Sequence, residues 1–192
     1  MPHSSTISFL SYWRGLQTRP DKAPARDRFD PAKLKSLVPQ MIMISTSDPA
    51  YRFRLSGSFL VAVHGYELKD TSFLGLFRSP FLNTVRTALQ MSLRREQPLI
   101  LTISAPWITD DTSQAPYQNE TVTVEICLCP MMNRDSAIDR VVGIYQTLTA
   151  APKTTNGRLG RYTLVSSRLY EPRRMLKAAH LRLVSVEGRR IA

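Results

Sequence analysis

The chain predicts an α+β domain in which two strands, a group of short helices, one long helix and three further strands follow in order. Three stretches carry this. Residues 51–77 run from a strand alternating apolar and charged side chains into glycine-broken apolar turns, residues 79–98 hold one strong helix signal, and residues 99–148 hold three successive strand patterns.

Taken from the N-terminus, Ser5–Leu16 reads as an amphipathic helix, with Phe9, Trp13 and Leu16 spaced by four and three and Ser4 or Ser5 placed to cap it. Its apolar stripe needs a partner, either its own domain or the same helix of a second copy. Asp30 before Pro31 supplies a cap and a first-turn residue, so Pro31–Val38 is a short helix leading to a strand at Met41–Ile44. In the next strand Tyr51, Phe53 and Leu55 face one side and Arg52 and Arg54 the other. Gly57 and Gly65 then interrupt what would be one apolar helix, leaving a wall of short ones.

The long helix has Ser79 as cap, Pro80 in its first turn, and Leu82, Val85 and Leu89 at helical spacing. Arg94 and Arg95 sit at the negative end of its dipole before Pro98 stops it. Leu99, Leu101, Ile103, Ala105 and Trp107 share one face of the following strand. Val122, Val124, Ile126 and Leu128 share a face of the next, and Val142, Ile144 and Leu148 of the last. The polar run between Ile108 and Glu120, with Pro116, is a solvated loop whose Asp110 and Asp111 lack the spaced oxygen array of a calcium site.

This order, with Tyr51-Arg-Phe-Arg-Leu-Ser-Gly-Ser58 leading into His64-Gly-Tyr-Glu-Leu68 and Ser72-Phe-Leu-Gly-Leu-Phe77, resembles the PAS domain. Tyr12-Trp-Arg-Gly15, Phe29-Asp-Pro31 and Leu37-Val-Pro39 extend the resemblance, which is closest to the single-domain PAS proteins of alphaproteobacteria and covers roughly residues 9–150. The resemblance implies a five-stranded antiparallel sheet with short helices and one long helix on one face, plus an N-terminal helix and a basic C-terminal extension. The expected division is residues 1–38 as an N-terminal helical segment, 39–150 as the PAS-like domain and 151–192 as the extension. Frequent dimers are also implied, which makes Phe9, Trp13 and Leu16 candidate partner-helix residues.

Composition sets limits on function. A chain of 192 residues with 43% hydrophobic content suits one compact domain with extensions. No segment approaches the roughly 18 consecutive apolar residues of a membrane span, and Arg14 breaks the only candidate signal peptide, so a cytoplasmic location is expected. The net charge of +11 is concentrated at the C-terminus, where residues 151–192 carry ten basic and two acidic side chains, a net of +8. Glu171–His180 reads as a short helix and Leu181–Val186 as a strand. Such a tail is a solvated extension or a contact for nucleic acid, anionic lipid or an acidic protein. Arg173, Arg174, Lys177, Arg182, Arg189 and Arg190 are its candidate polyanion contacts.

Catalytic signatures are missing: there is no phosphate-binding loop, no His-Glu-x-x-His and no Gly-x-Ser-x-Gly. No catalytic residue, metal ligand or cofactor is assigned. Cys127 and Cys129 share one strand face with Thr123, Glu125 and Met131, a mixed face to be covered by the N-terminal helix or a partner. Cys-x-Cys alone lacks the second ligand pair of a zinc site. His64 ends an early short helix and reads as a structural or surface residue. The resemblance places haem ligands on the long helix and photoreactive cysteines on the short ones, and neither is found there.

The expected function is a non-catalytic sensor or interaction module that binds a small apolar ligand, a protein partner, or both. Its pocket would be lined by Phe59, Val63, Phe73, Leu76, Phe77, Leu82, Val85 and Leu89 from the helices, and by Phe53, Ile103, Val124, Ile126 and Ile144 from the sheet. The same residues would serve an ordinary core. The rival class is a nucleic-acid-binding regulator acting through the basic extension.

Overall fold

The structure, a computed structural model, describes residues 1–109, 120–150 and 157–171. Helix α1 spans Ser4–Gly15, and a 3-10 helix over Pro31–Gln40 leads into strand β1, Met41–Ser45. Asp30 caps the 3-10 helix as its sequence predicts, its carboxylate accepting from Ala32 N. The caps of the two longest helices differ from expectation. The His3 ring, not Ser4 or Ser5, accepts from Ser5 N. Arg78 is the N-cap residue of α3, Ser79–Arg95, where Ser79 is already helical.

Strand β2, Phe53–Ser56, runs through Gly57 into α2, Ser58–His64. Gly57 has a packing reason, since a Cβ there would stand 2.1 Å from the Pro39 carbonyl oxygen. Gly65 ends α2 in the left-handed region at φ 75°, which costs a residue without Cβ little. A 3-10 turn at Leu74–Leu76 precedes α3. Strands β3, Leu99–Thr109, β4, Thr121–Met132, and β5, Ile138–Thr147, follow.

All strand pairs are antiparallel, and β1 to β5 stand in the order β2-β1-β5-β4-β3. Two further strands, not expected from the sequence, extend the sheet at its β3 edge. β6, Gly157–Leu159, pairs with Trp107–Thr109, and β7, Thr163–Leu169, pairs with Leu99–Ser104. Among the described residues the sheet therefore has seven strands rather than five, and it continues beyond residue 150. The expected loop at 110–119 and the elements expected over 172–192 lie outside the described residues.

Two apolar layers flank the sheet. On one face α2, the 3-10 turn and α3 cover Phe53, Leu101, Ile103, Val124, Ile126, Leu128 and Tyr145. On the other, α1 and the 3-10 helix cover Ile100, Cys127, Cys129, Met131, Val142 and Ile144. The β3–β4 register sets this split, pairing Leu101 with Ile126 and Ile100 with Cys127, so alternate residues of each strand face opposite layers. No described helix is long and apolar enough to cross a membrane.

Candidate functional site

Within the apolar layer under α3 three polar side chains meet. His64, at the last turn of α2, is turned inward and only 1% exposed. Its Nε2 lies 2.6 Å from the Tyr162 hydroxyl, which lies 2.9 Å from the Tyr145 hydroxyl. Tyr145 comes from β5 and Tyr162 from the link between β6 and β7. Tyr162 is pinned by its backbone, since its N–H donates to the Leu76 carbonyl and its own carbonyl accepts from Arg78 N. The Phe77 ring packs edge-on against Tyr162 with centroids 5.3 Å apart. Chain 157–162 is thus clamped onto the turn that precedes α3.

Burial controls the protonation of this trio. It pushes the His64 imidazolium down to about 4 and raises both phenols above their ordinary range. All three are neutral at neutral pH, and they form a chain of neutral hydrogen bonds in an otherwise apolar layer. Such a chain can turn its donors and acceptors toward a ligand without moving a charge.

The trio is buried, and of its members His64 alone borders the surface. A surface depression of about 310 Å³ opens at His64 and is lined by Tyr66, Gly75, Leu76, Ile108, Arg158, Leu159, Gly160 and Arg161. Its walls combine apolar side chains with two guanidinium-bearing residues at the rim. That combination suits a small molecule with an apolar body and one polar or anionic end.

Most residues expected to line a pocket are brought together here. Phe53, Val63, Phe73, Leu76, Phe77, Val85, Leu89, Ile103, Val124 and Ile126 are buried in one cluster, with Phe59 and Leu82 partly buried against it. These side chains pack on one another, and of them only Leu76 reaches the depression at His64. Ile144 is a correction. It pairs with Cys127 and Met41 and belongs to the opposite layer, where the parity of β5 places it with Val142, while Tyr145 takes the α3 side.

The N-terminal stripe also differs from one of its two expected roles. Phe9 and Trp13 are buried against β4 and β5 of their own sheet, with the Trp13 indole N–H donating to the Pro130 carbonyl at 3.0 Å, and Leu16 is buried as well. The stripe is spent within the chain and is not presented to a second copy. Arg173, Arg174, Lys177, Arg182, Arg189 and Arg190 lie outside the described residues. Of the structural or surface placement expected for His64 the buried one is found, and its two tyrosine partners are not legible in the sequence. The signal available was the pair of isolated tyrosines, Tyr145 on a strand face opposite Ile144 and Tyr162 after Gly160.

The PAS domain family model matches residues 1–146. The chain belongs to the PAS domain family. Among solved structures, this PAS domain is similar to the Rhodobacter sphaeroides LOV protein at 14% identity over 64% of this chain and 70% of that one, with a TM-score of 0.43. It is also similar to Drosophila melanogaster Cycle PAS-B with bound glycerol, at 12% identity over 57% of this chain and 99% of that one, TM-score 0.43. A sensory box sensor histidine kinase from Vibrio cholerae shares 10% identity over 62% of this chain and 89% of that one, TM-score 0.39. These likenesses are distant, and membership rests on the family match. No curated protein matches the chain in sequence.

Proposed function

We propose that the chain is a non-catalytic PAS sensor module that binds a small molecule at the His64 end of its helical layer and passes the event to a protein partner. The neutral His64–Tyr162–Tyr145 chain, whose His64 lines a depression of about 310 Å³, carries this reading. A ligand seated there places its apolar body against Leu76, Leu159 and Ile108 and its polar end toward His64 and Arg161. Nothing in the trio is a charged acid–base pair or an activated nucleophile, which supports binding without turnover.

The test is native mass spectrometry of the intact chain incubated with a small-molecule cell extract, run beside Gly75→Trp. Gly75 is an exposed lining residue, so an indole there fills the depression from outside the core. An adduct on the wild type that is lost in Gly75→Trp supports the reading, and no adduct, or equal adducts on both, overturns it. The second reading, polyanion contact through the basic extension, rests on the net +8 of residues 151–192. It is checked by DNA titration of the full chain against a chain ending at Glu171, which keeps β6 and β7, at several salt concentrations, where only a steep salt slope that depends on the removed segment supports it.

A further inference from the structure

Between α1 and the sheet lies a layer unusually rich in sulfur. Both cysteines of the chain and four of its seven methionines, Met41, Met43, Met131 and Met132, pack in or against this one cluster. Cys127, Cys129 and Met131 follow at two-residue spacing on the same face of β4, and all three are fully buried.

The two thiols are neither bonded nor far apart. Their Sγ atoms stand 3.9 Å from each other and both cysteines are free. With metal–sulfur bonds of about 2.3 Å, two thiolates on one three- or four-coordinate ion stand about 3.8–4.0 Å apart. Among the described residues no cluster of three or more His, Cys, Asp and Glu is present, so the hard and borderline ligands of a zinc shell are not assembled. Thiolate with thioether is instead the donor set that selects a soft monovalent ion.

A second observation concerns charge. Two thiolates around a monovalent cation leave one net negative charge in an apolar layer, which needs a counter-charge nearby. Arg14, on α1 above this layer, has a buried Nη2 with no hydrogen-bond partner, while its guanidinium carbon lies 4.7 Å from the centre of the Tyr170 ring. The Tyr170 ring beneath that guanidinium itself packs against the sulfur-rich cluster.

We propose that Cys127 and Cys129, with Met131 as third sulfur, form a site for a soft monovalent metal ion of the copper(I) class, neutralised by Arg14. On binding, each thiol loses its proton to solvent, two metal–thiolate bonds form, and no electron is transferred. Because α1 covers the thiols, the ion enters when α1 lifts. The site lies on the opposite face from the ligand depression and does not depend on the sensor reading.

The experiment uses the full chain under anaerobic, reducing conditions, with copper(I) delivered from a chromophoric chelator. The expected result is one ion per chain, with a thiolate-to-copper absorption band and a first shell of sulfur by X-ray absorption. Arg14→Gln weakens binding by about tenfold, the scale of outer-contact effects on metal affinity, and Cys127→Ala and Cys129→Ala weaken it further. Wild-type affinity in the double alanine variant overturns the proposal, as does a nitrogen-containing shell in the wild type. If the alanine variants do not fold, the wild-type shell decides alone.

Discussion

On the sheet face toward α3 the buried side chains His64, Tyr162 and Tyr145 bond to one another, whereas on the face toward α1 a buried carboxylate bonds to the helix itself. Glu125 Oε1 accepts from the Thr6 hydroxyl at 2.7 Å and from His3 N at 2.9 Å, which sets a carboxylate at the N-terminal end of α1. That position suits the helix dipole. The comparison teaches that the two faces are specialised. On the α3 side the polar groups bond within one trio, while on the α1 side Glu125 and the buried Phe9, Leu10 and Trp13 tie one helix to the sheet.

Removing one large buried side chain from each face is the strongest way to test this division. Trp13→Ala leaves a cavity under α1 and frees the Pro130 carbonyl, at an expected loss of about 3–5 kcal/mol. Leu89→Ala, at a fully buried site between α3 and the sheet, costs about 2–5 kcal/mol. Urea unfolding gives both values. A loss within about 0.5 kcal/mol, the surface range, would show that the site is not packed.

Acid separates the faces next. The His64 pKa falls from 6.5 unfolded to about 4 folded. Above pH 6.5 the ring is neutral in both states and its burial is not penalised. As pH drops from 6.5 towards 4 the unfolded chain takes up the proton first, so stability is lost, by about 3 kcal/mol at the lower end. His64→Asn flattens that part of the stability–pH curve relative to the wild type. An unchanged slope would place the histidine in water.

On the other face Thr6→Val removes the hydroxyl from Glu125 while keeping its shape, with an expected loss of about 2 kcal/mol for a hydrogen bond to a charged group. Amide exchange within α1 should rise before exchange in α3. A uniform rise in both would deny that α1 is a separately held element.

Much of this was legible in the sequence, and the exceptions have physical causes. The long helix, the glycine-broken turns and the first five strands follow from periodicity, because each has one apolar face against a layer. Strands β6 and β7 do not. Gly157–Leu159 is only three residues long, and β7 changes register between Thr102 and Ile103 with Val165 left 61% exposed, so neither shows a clean alternation. Ile144 was correctly grouped with Val142, but alternation cannot say which layer a face meets when both are apolar. For the same reason Glu125 gave little sign of its role, since a lone acid within an apolar strand declares a partner without naming it. The tyrosine–histidine trio joins residues 98 positions apart at its widest, which no local pattern records.

The central claim is that a small molecule binds at the His64 depression. Hydrogen–deuterium exchange of the full chain, with and without the extract fraction that yields the mass adduct, tests it most directly. The account predicts that exchange of the α2 amides, residues 58–64, slows in the wild type and stays unchanged in Gly75→Trp. An adduct that forms on the wild type while α2 exchange stays the same would contradict it.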